Sequence, residues 1–219
     1  MHKSHYSTAS QLRSMILSGL FAALGIVLQR FSVSTPLMRI GISPIPTIVA
    51  GLLLGPAYGG GTGLLKDVVG FMVAPPASGS FFPPITFIQM LYGILPPLLL
   101  LLFRRPVDWI WGRVIPKDDK RGKGARWLFG LPARLVTCFL VVGLTQFICG
   151  GLLMPAALSL LYDGRLAQSL WLARFTSRLP QQLISLAAYP LITYVVLEAF
   201  ERIPVWGGVA RETVLSKHS

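Results

Sequence analysis

The sequence predicts an all-α integral membrane protein with six transmembrane helices, and its composition and apolar pattern support this. Of the 219 residues, 53% are hydrophobic and 13% are charged, whereas a soluble domain carries about 25% charged residues. The chain contains 22 glycines and 17 prolines, which membrane helices tolerate better than soluble ones do. Apolar segments recur along the chain, and most are long enough to cross about 30 Å of hydrocarbon. We therefore expect a single membrane domain over residues 1–219.

The six predicted helices are separated by turn signals. The first segment starts like a signal peptide, but its apolar run continues to Phe31; at about 20 residues it is long enough to span and be retained. The second is bounded by Pro44 and Gly55-Pro56 and is too short to cross upright at about 1.5 Å per residue, which predicts a partial or tilted span. Pro180 suits a first helical turn, where its missing N–H is not needed. The predicted helices cover about 12–31, 46–55, 57–73, 84–103, 132–154 and 179–200.

The basic segment 104–131 between the fourth and fifth predicted helices sets the expected orientation. Lys and Arg concentrate in cytoplasmic loops near span ends, so we expect this loop and both termini to be cytoplasmic. The outer side then carries segments 30–44, 74–83 and 156–178. These hold more arginine than the orientation rule predicts, which either an anionic ligand or lipid phosphates would explain. The outer arginines are Arg30, Arg39, Arg165, Arg174 and Arg178.

The distribution of reactive side chains argues against an enzyme. Catalysis needs a cluster such as paired carboxylates, metal ligands or a nucleophile beside a base. Asp67 is the one acid well inside a predicted span, and the three histidines lie in the tails. No phosphate-binding loop of the Gly-x-x-x-x-Gly-Lys-Ser/Thr type is present. We expect no catalytic residue, no metal and no cofactor. The net charge of +12 does not indicate nucleic-acid binding, because no folded basic domain is left once the spans are assigned.

Lys66 and Asp67 stand side by side in the otherwise apolar segment "GTGLLKDVVGFMV". Asp67 is expected near the middle of the bilayer, where an ionisable residue is a functional hypothesis by default; pairing with a cation on another helix is the alternative. Adjacent helical residues point about 100° apart, so Lys66 is not the expected partner. One of the two should face the bundle interior, while the other snorkels or finds a different polar group. Asp67 is the predicted ligand contact.

The start of the last helix carries a second candidate pair. Arg178 and Gln182 are four residues apart and share a helix face. Guanidinium and amide groups bind planar polar ligands through paired hydrogen bonds. Helix capping and hydrogen bonding between helices are the alternative interpretation.

Small residues recur four apart in the first helix, which allows another helix to approach closely. This pattern predicts either docking of a partner membrane protein or packing inside the bundle. The two pairs are Ser18 with Ala22 and Gly19 with Ala23.

The stretch "LMRIGISPIPTIVAGLLLGPAYGGGTGLLKDVVGFMVAPPASGSFFPPITFIQMLYG" carries an ordered series of Gly, Pro and polar positions. The series is Arg39-Ile40-Gly41, Pro46, Ala50-Gly51, Gly55-Pro56, Asp67, Gly70, Gly79, Phe82-Pro83 and Thr86; later in the chain, Tyr162, Gly164, Arg178 and Gln182 are in step with it. In this order the positions resemble the substrate-binding (S) components of energy-coupling factor (ECF) vitamin transporters, especially the folate-type members. The sequence departs from that pattern at Lys66, which replaces a small residue, at Pro84-Ile85, in the segment "LLMPAAL", where an Asn-Thr pair is expected, and in its long basic loop.

The resemblance implies a compact six-helix bundle in a bacterial plasma membrane that binds a vitamin from outside. It also implies three partners, namely a transmembrane coupling subunit and two cytoplasmic ATPases, which would hydrolyse the ATP. The small-residue face of the first helix would be the docking surface for the coupling subunit. The implied docking residues are Ser18, Gly19, Ala22 and Ala23.

Folate fits the chemistry of the candidate residues. Its pterin has adjacent N–H and NH2 donors, which the Asp67 carboxylate can accept together, and its glutamate tail carries two carboxylates for outer arginines. We expect Arg39, Arg174 and Arg178 at the anionic end and Phe81, Phe82, Tyr162 and Trp171 against the rings, with Thr86 and Gln182 completing the site. Two alternatives remain open: an S component for pantothenate, riboflavin or a queuosine precursor, or a non-transport membrane scaffold that uses the basic loop to hold a soluble partner.

Overall fold

The computed structural model describes most of the chain. Its backbone is described for residues 8–31, 33–34, 39–73, 81–114, 123–163 and 168–202. Side chains are described for residues 11–31, 41–73, 81–103, 135–161 and 171–200.

The described residues form six continuous helical stretches and one short hairpin. The fifth stretch consists of α5, a π-helical segment and α6, which follow one another without a break. The helices are α1 (Thr8–Arg30), α2 (Pro44–Leu54), α3 (Pro56–Val73), α4 (Pro83–Val114), α5 (Lys123–Gln146), the π segment (Phe147–Leu153), α6 (Met154–Asp163) and α7 (Gln168–Arg202). Between α1 and α2, β1 (Val33–Ser34) pairs antiparallel with β2 (Arg39–Ile40). The predicted all-α six-helix bundle is confirmed; the side on which the termini lie stays a prediction.

Four helices of the described part are long and apolar enough to cross a membrane. They contain the segments Gln11–Arg30, Pro83–Phe103, Leu135–Leu161 and Trp171–Phe200. The short helix α2 instead lies in the core, because it is apolar on every side. Its residues Ile48, Val49 and Ala50 are almost completely buried. This burial is the physical reason why α2 is stable despite being too short to span upright.

Helix ends differ from the sequence prediction where the apolar runs stop. α4 continues to Val114 and α5 begins at Lys123, so most of the segment predicted as loop 104–131 is helical, and residues 115–122 lie outside the described part. The end of an apolar run marks the end of a membrane span. The helix itself can continue beyond that point when no residue breaks the helix. The placement of Pro180 in a first turn was wrong, because α7 begins at Gln168 and includes Pro180 in its interior.

Glycines bring α3 and α4 into close contact. A Cβ atom at Gly63 would overlap the backbone of Gln89, and Cβ atoms at Gly59 and Gly93 would overlap each other's backbones. Small residues allow membrane helices to approach to this degree. The close approach places polar side chains from the end of α3 against those at the start of α4. Since successive helices of an up-and-down bundle run antiparallel, these ends share one side with the start of α7, the side predicted to be outer.

Candidate functional site

Asp67 and Thr86 meet at the contact between α3 and α4. The Thr86 hydroxyl donates a hydrogen bond to Oδ2 of Asp67 at 2.5 Å. Thr86 is buried and Asp67 is half-buried. Within the described part of the chain, Oδ1 of Asp67 accepts no hydrogen bond. The structure therefore presents a carboxylate that is fixed on one oxygen and open on the other.

Lys66 is buried inside the bundle, with 2% of its surface exposed. Its stem packs over Gly25 of α1, where an added Cβ would lie 2.7 Å from Lys66 Cδ. Its ammonium donates to Oε1 of Gln89 at 2.8 Å and to the carbonyl oxygen of Ser43 at 3.4 Å. Among the described residues, no carboxylate forms an ion pair with it. Lys66 thus finds other polar groups and does not snorkel.

The two neighbouring charges are held by one face of α4. Thr86 and Gln89 are three residues apart, so both face α3. Thr86 binds Asp67 and Gln89 binds Lys66. The structure therefore separates Lys66 and Asp67 into two adjacent hydrogen-bonded pairs on the wall between α3 and α4.

The predicted aromatic residues at the start of α4 lie close to this wall. Phe81 contacts Phe71 of α3 edge to face, with ring centroids 5.4 Å apart. Phe81 remains 44% exposed, whereas Phe82 packs against the hydrophobic core. Phe81 therefore offers an open apolar surface beside the end of α3.

The start of α7 carries an aromatic and basic group. Trp171 stacks on Phe175 with ring centroids 5.3 Å apart and donates from Nε1 to the carbonyl oxygen of Leu152 at 3.3 Å. Arg174 and Arg178 are half-buried. They lie close enough to interact electrostatically. Two like charges held together favour an anionic partner between them.

Gln182 belongs to a buried chain of polar groups that joins three helices. Tyr92 of α4 donates to Oε1 of Gln146 at 2.9 Å. Gln182 of α7 donates from Nε2 to the Gln146 carbonyl oxygen at 2.8 Å and accepts from the Gln146 side chain at 3.4 Å. Tyr92 and Gln146 were not among the site residues predicted from the sequence. Their signal was a polar group inside an apolar run, which alone does not identify its partners.

The π segment begins directly after Gln146 and shapes this chain. A Cβ at Gly150 would lie 2.8 Å from both Gln146 Nε2 and the Tyr92 hydroxyl oxygen. A Cβ at Gly151 would lie 3.3 Å from Gln182 Nε2. π-helical turns inside α-helices often occur at functional sites. Here the glycines let the polar chain lie directly against the helix backbone.

The remaining predicted residues divide into three groups. The side chains of Arg39 and Tyr162 lie outside the described residues. Ser18 and Ala22 face inward, and Ser18 hydrogen-bonds Thr62 at 2.9 Å, which leaves neither side chain open to a partner. Gly19 and Ala23 are exposed on the face of α1 that points away from the bundle. Within the part of the chain that the structure describes, no three His, Cys, Asp or Glu residues are grouped as metal ligands would be.

Comparison with known proteins places the chain in a family. A family model described as "ECF transporter, substrate-specific component" matches residues 13–197. The folate transporter FolT of Clostridium novyi (strain NT) is 36% identical over 85 residues, which cover 36% of this chain and 48% of that protein. The match therefore spans about half the length of the curated relative. A crystal structure of FolT bound with folic acid has the same fold, with a TM-score of 0.55, 22% identity, and coverage of 87% of this chain and 96% of that one. The chain belongs to the family of ECF transporter substrate-specific components.

Proposed function

We propose that the chain captures folate or a related pterin from outside the cell for an ECF-type importer. The observation that carries this proposal is the Asp67 carboxylate, which is half-buried between α3 and α4 with Thr86 bound to one of its oxygens. The names of the two FolT relatives support the same ligand class.

The carboxylate matches one edge of a pterin ring. The ring offers an N–H and an adjacent NH2, and a carboxylate accepts two such donors in parallel with charge-assisted hydrogen bonds. The hydrogen bond from Thr86 fixes the plane of the Asp67 carboxylate, so less conformational freedom is lost when the ring binds. Each carboxylate oxygen has two acceptor positions, so Oδ2 can bind Thr86 and a ligand donor together.

The start of α7 suits the other end of a folate molecule. Arg174 and Arg178 supply positive charge for the glutamate tail, and Gln182 supplies an amide on the same helix face as Arg178. The exposed surface of Phe81 and the stacked Trp171 suit the aromatic rings. We assign the same roles to Arg39, Phe82 and Tyr162 on the basis of the family resemblance.

The proposal includes the partners that make an importer. A transmembrane coupling subunit and two cytoplasmic ATPases would deliver the vitamin across the plasma membrane, and those ATPases would hydrolyse ATP. Gly19 and Ala23 are the docking residues that the fold leaves exposed on α1. A helix of the coupling subunit can approach the α1 backbone closely there because both side chains are small.

Folate binding by the Asp67→Asn variant tests the proposed site. The change keeps the size of the side chain but removes the charge and one acceptor, and charge-assisted hydrogen bonds contribute about 1.5–3 kcal/mol each. The dissociation constant for folate should rise on the order of tenfold to a hundredfold. Glu198→Gln removes a carboxylate near the far end of α7 and should leave the constant unchanged. Equal folate affinity in Asp67→Asn and wild type would rule out the Asp67 contact.

A further inference from the structure

The amide of Gln89 has an orientation that its neighbour dictates. A lysine ammonium has three donors and no acceptor. The Gln89 atom that lies 2.8 Å from Lys66 Nζ must therefore be the amide oxygen. The NH2 group of Gln89 is consequently turned away from Lys66. Lys66 cannot move freely, because its stem is packed over Gly25 and its ammonium also binds the Ser43 carbonyl.

The NH2 group of Gln89 is unused in the described structure. It donates no hydrogen bond to any described residue. It is also not one of the fully buried polar atoms that lack a partner in this part of the chain. Gln89 is half-buried and lies three residues from Thr86 on α4. Among the described residues, the unused Gln89 donor and the unused Asp67 Oδ1 acceptor therefore belong to the two hydrogen-bonded pairs on the wall between α3 and α4.

We propose that Lys66 is a positioning residue, which fixes the Gln89 amide so that Gln89 and Asp67 together select a 2-amino-4-oxo ring. This inference rests on the proposed function. Asp67 accepts the ring N–H and the 2-amino group, while the Gln89 NH2 donates to the 4-oxo oxygen. A 4-amino group at the same place would point its own N–H donors at the N–H donors of Gln89. Sites with a fixed hydrogen-bond donor reject a ligand without the matching acceptor far more strongly than apolar pockets reject a missing methylene.

Burying a lysine costs free energy, and the family resemblance predicts a small residue at position 66. The role proposed for Lys66 accounts for the cation at this position. A neutral, freely rotating glutamine would offer either its oxygen or its nitrogen to the ligand and would discriminate poorly. The ammonium of Lys66 removes that choice. The charge of Lys66 also interacts electrostatically with Asp67.

Relative affinity for two ligands tests the inference in the purified full chain. Folic acid and 4-amino-4-deoxyfolic acid differ at the 4-position and in the ring N3–H, which only the 4-oxo form carries, and wild type should bind folic acid about tenfold or more tightly. Gln89→Glu replaces the donor by an acceptor and keeps a partner for Lys66, so the preference should fall about tenfold or reverse. Lys66→Met keeps an apolar stem but frees the amide, so the preference should shrink to the part that Asp67 contributes through the ring N–H. Gln29→Glu makes the same change at an exposed position of α1 and should leave the ratio at the wild-type value.

The ratio of the two affinities distinguishes a failure of this inference from a failure of the proposed function. A general loss of stability lowers both affinities and leaves their ratio unchanged. If wild type binds folic acid while Gln89→Glu and Lys66→Met keep the wild-type ratio, the role of Gln89 is overturned and the proposed function stands. If wild type binds neither compound, both the function and the inference are overturned. Gln89→Glu retains the buried lysine and its acceptor, so it decides the question even if Lys66→Met fails to fold.

Discussion

Replacing Gly63 by alanine should destabilise the bundle, because α3 and α4 touch through their backbones at this residue. An added Cβ would overlap the carbonyl oxygen and carbon of Gln89, and backbone atoms have no alternative rotamer. Overpacking a tight contact typically costs about 1–3 kcal/mol. Alanine favours a helix over glycine by about 1 kcal/mol, which offsets part of that penalty. The net loss is then up to about 2 kcal/mol, which for a chain of this size lowers the melting temperature by up to about 8 °C.

The same substitution should weaken ligand binding. Gly63, Lys66 and Asp67 are three and four residues apart, so they share the face of α3 that meets α4. A wider gap between the helices lengthens the Thr86–Asp67 and Lys66–Gln89 hydrogen bonds together. We expect the dissociation constant for folate to rise about tenfold, the equivalent of roughly one strong hydrogen bond.

Gly61→Ala is the matched control for this experiment. It lies two residues away on the same helix, and an added Cβ at Gly61 would have no atom within 4 Å. This variant should be as stable as wild type or slightly more stable, with unchanged folate affinity. Thermal unfolding of both variants in the same detergent and at the same scan rate gives the comparison. Equal melting temperatures for Gly63→Ala and Gly61→Ala would refute the backbone contact between α3 and α4.

Three further predictions test other contacts. Gly150→Ala places a Cβ against the Tyr92 hydroxyl and the Gln146 amide, so it should lower the melting temperature by several degrees, corresponding to about 1–3 kcal/mol; an unchanged melting temperature would argue against the tight polar chain. Ser18→Ala removes the buried bond to Thr62 and should destabilise by about 1 kcal/mol, measured by the same unfolding assay; no loss would show that this bond contributes nothing net. Gly19→Leu adds a bulky side chain at an open position of α1, so folate affinity should be unchanged while co-purification of a coupling subunit falls; normal co-purification would exclude docking through this face.

The membrane-spanning helices were predictable, since each depends on a local run of apolar residues. Their ends were less so. α7 begins at Gln168, well before its predicted start, and it includes Pro180. A membrane bundle can accommodate a proline in a helix because neighbouring groups satisfy the freed carbonyl. A rule for soluble helices therefore placed the start of α7 too late.

The partners of the buried polar groups could not be predicted, because they depend on which helices touch. The sequence predicted only that Lys66 is not the partner of Asp67. Its acceptors, Gln89 and the Ser43 carbonyl, come from α4 and from the residue before α2. Gln146 carried even less signal, since a single amide in an apolar run is compatible with many roles. The close contacts of Gly25 and Gly63 that create these pairs are visible only once the helices are packed.

Equilibrium binding of folate to the purified wild-type chain tests the central claim most directly. Labelled folate is titrated against the protein, and unlabelled pantothenate and riboflavin are used as competitors. We expect saturable binding of one folate per chain that an excess of either competitor leaves unchanged. Binding to the chain should also raise its melting temperature, because a ligand that binds only the folded state stabilises it. Absence of saturable folate binding, with saturable binding of a different vitamin, would contradict the account.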